Sequence, residues 1–217
     1  MSKIQNFLKL LIIFIVDNMN LKIYDNFLIK EDFEILENIN LPSIKPNELR
    51  IFNFSEILSE KIVERFYENY QKKALDILKE LCPEKVNLYD YTEFHLILTG
   101  KNYKFPIHDD TPNKLLSGVI YINPEKNSGT SFYDTKEGLN KNEIQWKKNR
   151  AVFFSRIERK TWHSYEGDGM NTRIALVFNL MTNDIKSVCK IEKKNFFYSF
   201  IRFKLNPYIY RYLNKTI

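Results

Sequence analysis

Hydrophobic and polar positions in the first third of the chain follow the periods of one short strand and two helices. Residues 21–27 alternate apolar and polar side chains, which indicates a β-strand. Helical spacing follows at 31–39 and again at 55–81. We expect Ser55 to cap the longer helix, a break near Tyr70, and Pro83 to help end it. The pattern therefore predicts a mainly helical region.

From residue 89 onward the pattern changes to short runs rich in β-branched and aromatic residues. These runs occupy 94–99, 115–122, 131–133, 143–146, 151–155 and 173–180, and turn-forming stretches separate them at 123–129, 136–140 and 166–169. Several short strands at this spacing predict an antiparallel sandwich or barrel. We therefore expect an α+β fold, in which the helices pack on one sheet of a jelly-roll-like β core.

These patterns divide the chain into an apolar N-terminal segment (1–18), a helical support region (19–88), the β core (89–182) and a C-terminal extension (183–217). The apolar run at 7–16 is too short to span a bilayer, which needs roughly 20 apolar residues. Two interpretations stay open for it. Either translation begins at Met19 rather than at Met1, or the run is an anchor or a packed segment.

The charge of the chain is concentrated in its C-terminal extension. Residues 184–217 contain eight of the 33 Lys and Arg and two of the 27 Asp and Glu, which leaves 25 of each sign in the first 183 positions. Because a fold that binds nucleic acid usually carries the basic excess itself, we do not expect nucleic acid as a partner. The extension alternates aromatic and basic residues. It is either a helix packed on the β core or a segment that contacts an anionic membrane surface or an acidic partner.

Length and composition favour a single folded domain. The chain has 217 residues, of which 44% are hydrophobic and 15% aromatic, enough for a sizeable core without disulfides. Cys82 and Cys189 lie far apart and in no metal-binding spacing. We therefore expect a reducing, cytoplasmic setting.

All three histidines lie in the β region, and two of them join an aspartate in a pattern that suits a metal. His108 comes in the segment after the strand at 94–99, Asp110 follows two residues later, and His163 comes just past the strand at 151–155. Two imidazoles and one carboxylate suit Fe(II), because they occupy one face of the ion and leave three positions open. A bidentate 2-oxo acid can take two of these, and O₂ the third.

Arg173, ten residues after His163, is the fourth candidate. On its strand Arg173, Ala175, Val177 and Asn179 share one face, because successive side chains of a strand point to opposite sides. An arginine inside a barrel is unfavourable unless it meets an anion. Its guanidinium matches a carboxylate in a two-bonded fork, so the distal carboxylate of 2-oxoglutarate is a natural partner.

The order of these pieces resembles the Fe(II)/2-oxoglutarate-dependent oxygenase superfamily, in particular its prolyl-4-hydroxylase-like branch. The resembling pieces are His108-x-Asp110, the strand at 117–123, the Ser-Gly-Thr-Ser-Phe turn at 128–132, Arg150 with the apolar strand after it, Trp162-His163 and Arg173. The resemblance implies a double-stranded β-helix, metal ligands at His108, Asp110 and His163, and a co-substrate anchor at Arg173. It further implies hydroxylation of a C–H bond, with consumption of O₂ and 2-oxoglutarate and release of succinate and CO₂.

The sequence departs from that branch at two places. Ser128 stands where a first glycine is common, and Ala175 stands where some members have a serine that assists the arginine. Another hydroxyl must then assist Arg173, and the candidates are Thr130 and Tyr121.

Several alternatives stay open at this stage. Asp109 competes with Asp110 as the ligand, although the family spacing favours Asp110. His95 is a core histidine or a pocket-wall residue, and Tyr103 and Asn179 are further pocket candidates. The substrate is a small molecule or a peptidyl residue. The alternative function is a non-catalytic metal- or ligand-binding β-barrel that acts as an interaction or membrane-surface module through its basic tail.

Overall fold

The computed structural model describes residues 21–213. The predicted N-terminal segment and the choice between Met1 and Met19 lie outside these residues. The helices are α1 (Lys30–Glu37), α2 (Phe54–Ile57), α3 (Glu60–Leu81), α4 (Ile185–Ile191) and α5 (Phe196–Leu213), with a 3₁₀ helix at Pro83–Leu88. The strands are β1 (Leu21–Tyr24), β2 (Leu49–Asn53), β3 (Tyr91–Thr99), β4 (Lys104–His108), β5 (Lys114–Asn123), β6 (Thr130–Tyr133), β7 (Asn142–Ile144), β8 (Ala151–Phe154), β9 (Trp162–Glu166) and β10 (Arg173–Met181).

The strands form two antiparallel sheets. The larger has six strands in the order β1-β8-β5-β10-β3-β2, and the smaller has four in the order β4-β9-β6-β7. This arrangement confirms the expected α+β class with an antiparallel β core. The four-part division of the chain stays a prediction, and β1 and β2, which precede residue 89, form the two edges of the larger sheet.

The helices pack on one face of the larger sheet, as the sequence predicts. Phe66, Ala74 and Leu78 of α3 are buried in one cluster with Leu176 and Phe178 of β10. The alternate β10 residues, Arg173, Ala175, Val177 and Asn179, point to the opposite face and line a cavity. Burying a large apolar side chain contributes about 1.5–3 kcal/mol, so this layer fixes which face of β10 is left for the cavity.

The predicted course of the long helix is wrong at two points. It is continuous through Tyr70, which is buried and donates a 2.6 Å hydrogen bond to Asp32, so a core contact occupies the position of the expected break. Ser55 does not cap it. Asn53 and Glu56 instead form a capping box around the short α2, and α3 begins afresh at Glu60.

The strands β2, β4 and β9 are absent from the sequence-based prediction. β2 is a five-residue edge strand with no fully buried side chain, and so it shows a weak hydrophobic pattern. β4 contains Pro106 and lies at the edge of the smaller sheet, where a missing N–H is tolerated. Both histidines of the candidate site therefore lie on strands rather than in the segments after strands: His108 ends β4 and His163 belongs to β9.

Candidate metal centre

Strand pairing brings the two site histidines face to face. β4 and β9 are neighbours in the smaller sheet, and His108 stands directly opposite His163 in their register. Their ring centroids are 4.2 Å apart. Asp110 follows in the turn after β4, and one ligand atom from each of the three residues lies within 4.8 Å of the others.

Both imidazoles have their second nitrogen bound to the backbone. Nδ1 of His108 lies 2.9 Å from the carbonyl oxygen of Pro106, and Nδ1 of His163 lies 2.9 Å from that of Thr161. Since a carbonyl only accepts, Nδ1 carries the proton and each Nε2 keeps a free lone pair. Burial, reinforced by the neighbouring His163, lowers the pKa of His108 to about 3, so this ring is neutral at ordinary pH, as a metal ligand must be.

Asp110 is held as a buried carboxylate by two side chains from its own stretch of chain. Lys114 donates to its Oδ1 at 2.7 Å, and Ser117 donates to its Oδ2 at 2.6 Å. Burial acts to raise the pKa of Asp110, but the charge of Lys114, the neighbouring His163 and His108 and the hydrogen bond from Lys114 together outweigh it and hold that pKa far below its usual range. Oδ2 also lies 4.0 Å from Nε2 of His163. A charged carboxylate oxygen therefore faces the two imidazoles.

Asp109, the rival ligand, is directed away from this centre. Its carboxylate forms an ion pair with Arg202 of α5 and accepts a 2.9 Å hydrogen bond from the backbone N–H of Arg159. Asp110 rather than Asp109 belongs to the cluster of possible metal ligands. The geometry thus agrees with the spacing that favoured Asp110.

A cavity of about 380 Å³ lies between the two sheets and joins the candidate metal centre to Arg173. The guanidinium carbon of Arg173 lies 3.9 Å from the ring centroid of Tyr165, and 5.6 Å from those of Tyr121 and Trp146. Arg173 is only 5% exposed, and its Nε has no hydrogen-bond partner among residues 21–213. Aromatic faces stabilise a cation but do not replace a hydrogen-bonding anion, so this end of the cavity is suited to a carboxylate.

The structure resembles several solved enzymes. The match to a Pseudomonas putida prolyl-4-hydroxylase covers 77% of this chain and 95% of that enzyme, with TM-score 0.56 and 14% identity. A second match is to a Trichoplax adhaerens prolyl hydroxylase solved in complex with a hypoxia-inducible-factor peptide fragment. This match covers 80% of this chain and 88% of that enzyme, with TM-score 0.56 and 14% identity. A non-haem α-ketoglutarate-dependent epimerase from nogalamycin biosynthesis matches over 77% of this chain and 79% of its own, with TM-score 0.54 and 9% identity.

The chain has the prolyl-4-hydroxylase-like oxygenase fold. By sequence it matches no protein-family model and no curated protein. At this level of identity the solved structures establish the fold alone.

Within the oxygenase fold, the remaining predicted residues take different positions. Thr130, His95 and Asn179 line the cavity. The hydroxyl of Tyr121 accepts the N–H of Thr130 at 2.8 Å and donates to the carbonyl of Ile144 at 3.4 Å, so it is occupied by the backbone. Thr130 is thus the better placed of the two hydroxyls that were candidates for assisting Arg173. Tyr103 lies beside Phe105, with ring centroids 6.2 Å apart, and Phe105 itself lines the cavity.

Sequence reasoning missed the residues that hold the predicted ones in place. Ser117 interrupts an apolar strand on its cavity-facing side, a signal that could have been read from the two-residue period. Tyr165 is two residues beyond His163 and lines the same cavity, so the same period would have found it. Trp146 had no such signal, because it reaches Arg173 from outside the regular strands.

Proposed function

We propose that the protein is an Fe(II)- and 2-oxoglutarate-dependent dioxygenase, built on a double-stranded β-helix, that hydroxylates a C–H bond of its substrate. His108, Asp110 and His163 would hold the iron, and Arg173 would bind the distal carboxylate of 2-oxoglutarate. One observation carries the proposal. Two imidazole nitrogens and a carboxylate converge within 4.8 Å of one another, in a cavity that also contains a buried guanidinium with an unpartnered Nε.

The residues fit the metal and the co-substrate chemically. Two nitrogen donors and one oxygen donor match the three-ligand set of non-haem iron oxygenases, and the backbone bonds at both Nδ1 atoms leave Nε2 for the metal. Bound Fe(II) would supply the coupling of O₂ reduction and 2-oxoglutarate decarboxylation to substrate hydroxylation, giving succinate, CO₂ and the hydroxylated product.

The chain itself would orient the reactants and exclude water. Ser117 and Lys114 fix the carboxylate of Asp110. Arg173 would set the direction in which 2-oxoglutarate enters, since a guanidinium binds a carboxylate in one plane. Phe105, Phe154 and other apolar side chains form most of the cavity wall. A dry wall of this kind strengthens the electrostatic contacts within the site.

The primary substrate would meet a polar part of the cavity at the other end of β10 from Arg173. Asn179 stands opposite Glu93 on β3 and opposite Ser117 on β5, and Glu93 and His95 line the cavity beside it. Oδ1 of Asn179 is buried and has no partner among the described residues, so it is available to a hydrogen-bond donor of the substrate. A small molecule or a peptidyl side chain would satisfy it. The free thiols of Cys82 and Cys189 support a cytoplasmic location for this chemistry.

The test is succinate formation by the full chain with Fe(II), 2-oxoglutarate and O₂, across panels of peptides and small metabolites. We expect turnover that His108→Ala and Asp110→Asn abolish, and that the exposed helix variant Asp76→Asn leaves unchanged. Equilibrium dialysis of Fe(II) under argon gives a second readout. Iron binding without succinate formation would favour the non-catalytic binding barrel, and failure to bind iron would refute the metal site.

A further inference from the structure

The C-terminal helix α5 turns its polar residues inward. Ser199 and Arg202 are 2% and 6% exposed. Ser199 donates a 2.5 Å hydrogen bond to Glu158, and Arg202 forms ion pairs with Asp109 and Glu158. These polar contacts attach α5 to the body of the protein.

The opposite side of α5 is apolar and exposed. At about 100° per residue, positions 197, 200 and 201 lie across the helix from Ser199 and Arg202, and positions 196 and 205 flank them. Their exposed fractions are Phe196 40%, Phe197 70%, Phe200 37%, Ile201 39% and Leu205 45%. We call these five residues the outer face. The other large exposed apolar residues of the described chain, Tyr198 apart, are scattered singly elsewhere, at Ile29, Ile51, Tyr91, Leu139 and Met170. A contiguous patch of this kind marks a surface that another phase or molecule covers.

The charge around the outer face is positive. Residues 193–205 contain Lys193, Lys194, Arg202 and Lys204 and no acidic residue. Lys204 lies among the outer-face positions, and its Nζ is 5.5 Å from the ring centroid of Phe200. The nearby Glu192 is turned inward, where it pairs with Lys85 and Arg156. Whatever covers the outer face must therefore be apolar and tolerate, or prefer, cations at its edge.

We propose that α5 is an interfacial helix that binds an anionic membrane surface, with its outer face toward the acyl chains and with Lys193, Lys194 and Lys204 reaching the headgroups. Basic and aromatic residues around an apolar helix face are suited to that interface. None of the helices within residues 21–213 has the length and hydropathy needed to cross a bilayer, so α5 would lie on the surface. This inference does not depend on the metal site.

Charge argues against two other occupants. A second copy would bring an equally basic patch against the first, because a twofold contact places the same surface on both sides. The apolar run at 7–16 of this chain contains one lysine and no acidic residue, so it offers no opposite charge either. An anionic lipid surface supplies both the apolar contact and the negative charge.

The test is flotation of the full-length protein with vesicles of roughly 3:1 phosphatidylcholine to phosphatidylserine, compared with phosphatidylcholine alone. We expect binding that needs phosphatidylserine and weakens with added salt. The double variant Phe197→Ser/Ile201→Ser should lower the partition coefficient by at least about tenfold. Lys193→Gln/Lys194→Gln should lower it by about fivefold per lysine.

The matched control is Leu139→Ser/Met170→Ser, which removes two exposed apolar side chains elsewhere and should bind vesicles like the unaltered protein. Circular dichroism should give the same spectrum and melting curve for every variant. Absence of binding by the unaltered protein, or equal binding to both lipid mixtures, would overturn the proposal. Unchanged binding of the Phe197→Ser/Ile201→Ser protein would also overturn it and assign binding to another segment. A dimer that this variant separates, without vesicle binding, would replace the membrane by a second copy.

Discussion

Asp109 and Asp110 are neighbours in the chain, yet their carboxylates enter opposite environments. Asp110 faces the cavity with His108 and His163, and Asp109 faces α5 on the other side of the same turn. On the cavity side, several polar atoms have no hydrogen-bond partner among the described residues. The Nε2 atoms of His108 and His163 are left for a metal, and Nε of Arg173 has no partner.

The side behind the turn is an ion network in which every charge has an opposite neighbour. Its members are Lys85, Arg156 and Arg202 with Asp109, Glu158 and Glu192. It also binds the turn directly, because Nε of Arg156 donates to the backbone carbonyl of Asp110 at 3.0 Å. Three cations and three carboxylates therefore compensate one another and fix the turn that contains Asp110.

The contrast separates two uses of buried charge. A buried charge that is paired and hydrogen-bonded within the chain holds structure, whereas a buried polar group without a partner is unfavourable unless a ligand completes it. Asp109 belongs to the first kind, and Arg173 to the second. The cavity side should thus determine ligand binding, and the network side should determine stability.

Asp109→Asn should give the largest effect, and it should be on stability. The substitution leaves the charge of Arg202 less compensated in a buried site, which typically destabilises by about 3–5 kcal/mol. Urea unfolding of the metal-free protein measures this change. Fe(II) affinity of the fraction that remains folded should stay within about tenfold of the unaltered value, since Asp109 lies outside the cluster of possible metal ligands.

Asp110→Asn should have the opposite outcome, a large loss of Fe(II) affinity and a smaller loss of stability. Fe(II) affinity should fall by more than the roughly 10–100-fold that loss of a supporting residue gives, while unfolding changes less than for Asp109→Asn. Equal destabilisation by the two substitutions would remove the distinction between the two sides of the turn.

Arg173→Gln should have the next largest effect, and it should be confined to binding of the co-substrate 2-oxoglutarate. Loss of a charged hydrogen-bonding group costs about 1.5–3 kcal/mol, so the KM for 2-oxoglutarate should rise by about 10–100-fold. Arg173→Lys should recover only part of this, because an ammonium lacks the planar fork. Fe(II) affinity without 2-oxoglutarate should not change, and a parallel loss of it would show that Arg173 acts through the metal ligands instead.

Ser117→Ala tests a residue that acts through Asp110. It removes the hydrogen bond to Oδ2, and we expect a loss of about 10–100-fold in Fe(II) affinity. The KM for 2-oxoglutarate should change less than the metal affinity. Ser43→Ala, at an exposed position, is the control. Ser117→Thr keeps the hydroxyl, and its failure to restore any affinity would point to a packing role.

The cavity side was largely predictable from sequence, and the network side was not. The predicted ligand set combines residue types that suit Fe(II), at spacings that strand order preserves. By contrast, Lys85 and Glu192 are 107 positions apart, and their contact follows from how α4 packs against the 3₁₀ helix. The sequence pattern of the basic tail predicted a helix. It did not predict that Arg202 would point inward, because the aromatic residues of the tail suggested that an apolar face would pack against the core. Hydrophobic pattern alone cannot identify a helix that is held through its polar side.

The smallest effect should come from a similar ion cluster placed at the surface. Asp25, with a side chain 38% exposed, accepts hydrogen bonds from Arg150 at 2.7 Å and from Lys147 at 2.9 Å. These bonds, that of Arg150 first, lower the pKa of Asp25 from 3.8 to about 2. A carboxyl with a lowered pKa stabilises the fold above its unfolded value of 3.8, and the stabilisation disappears as the pH falls towards 2.

Solvent screens this cluster, so Asp25→Asn should destabilise by less than about 1 kcal/mol near neutral pH. The difference from the unaltered protein should shrink as the pH falls below about 4, and added salt should shrink it at every pH. Urea unfolding at a series of pH values, at low and high salt, measures both trends. A loss as large as that of Asp109→Asn would mean that burial is not what separates the network from the surface cluster, and the contrast between paired charges inside and outside the protein would fail.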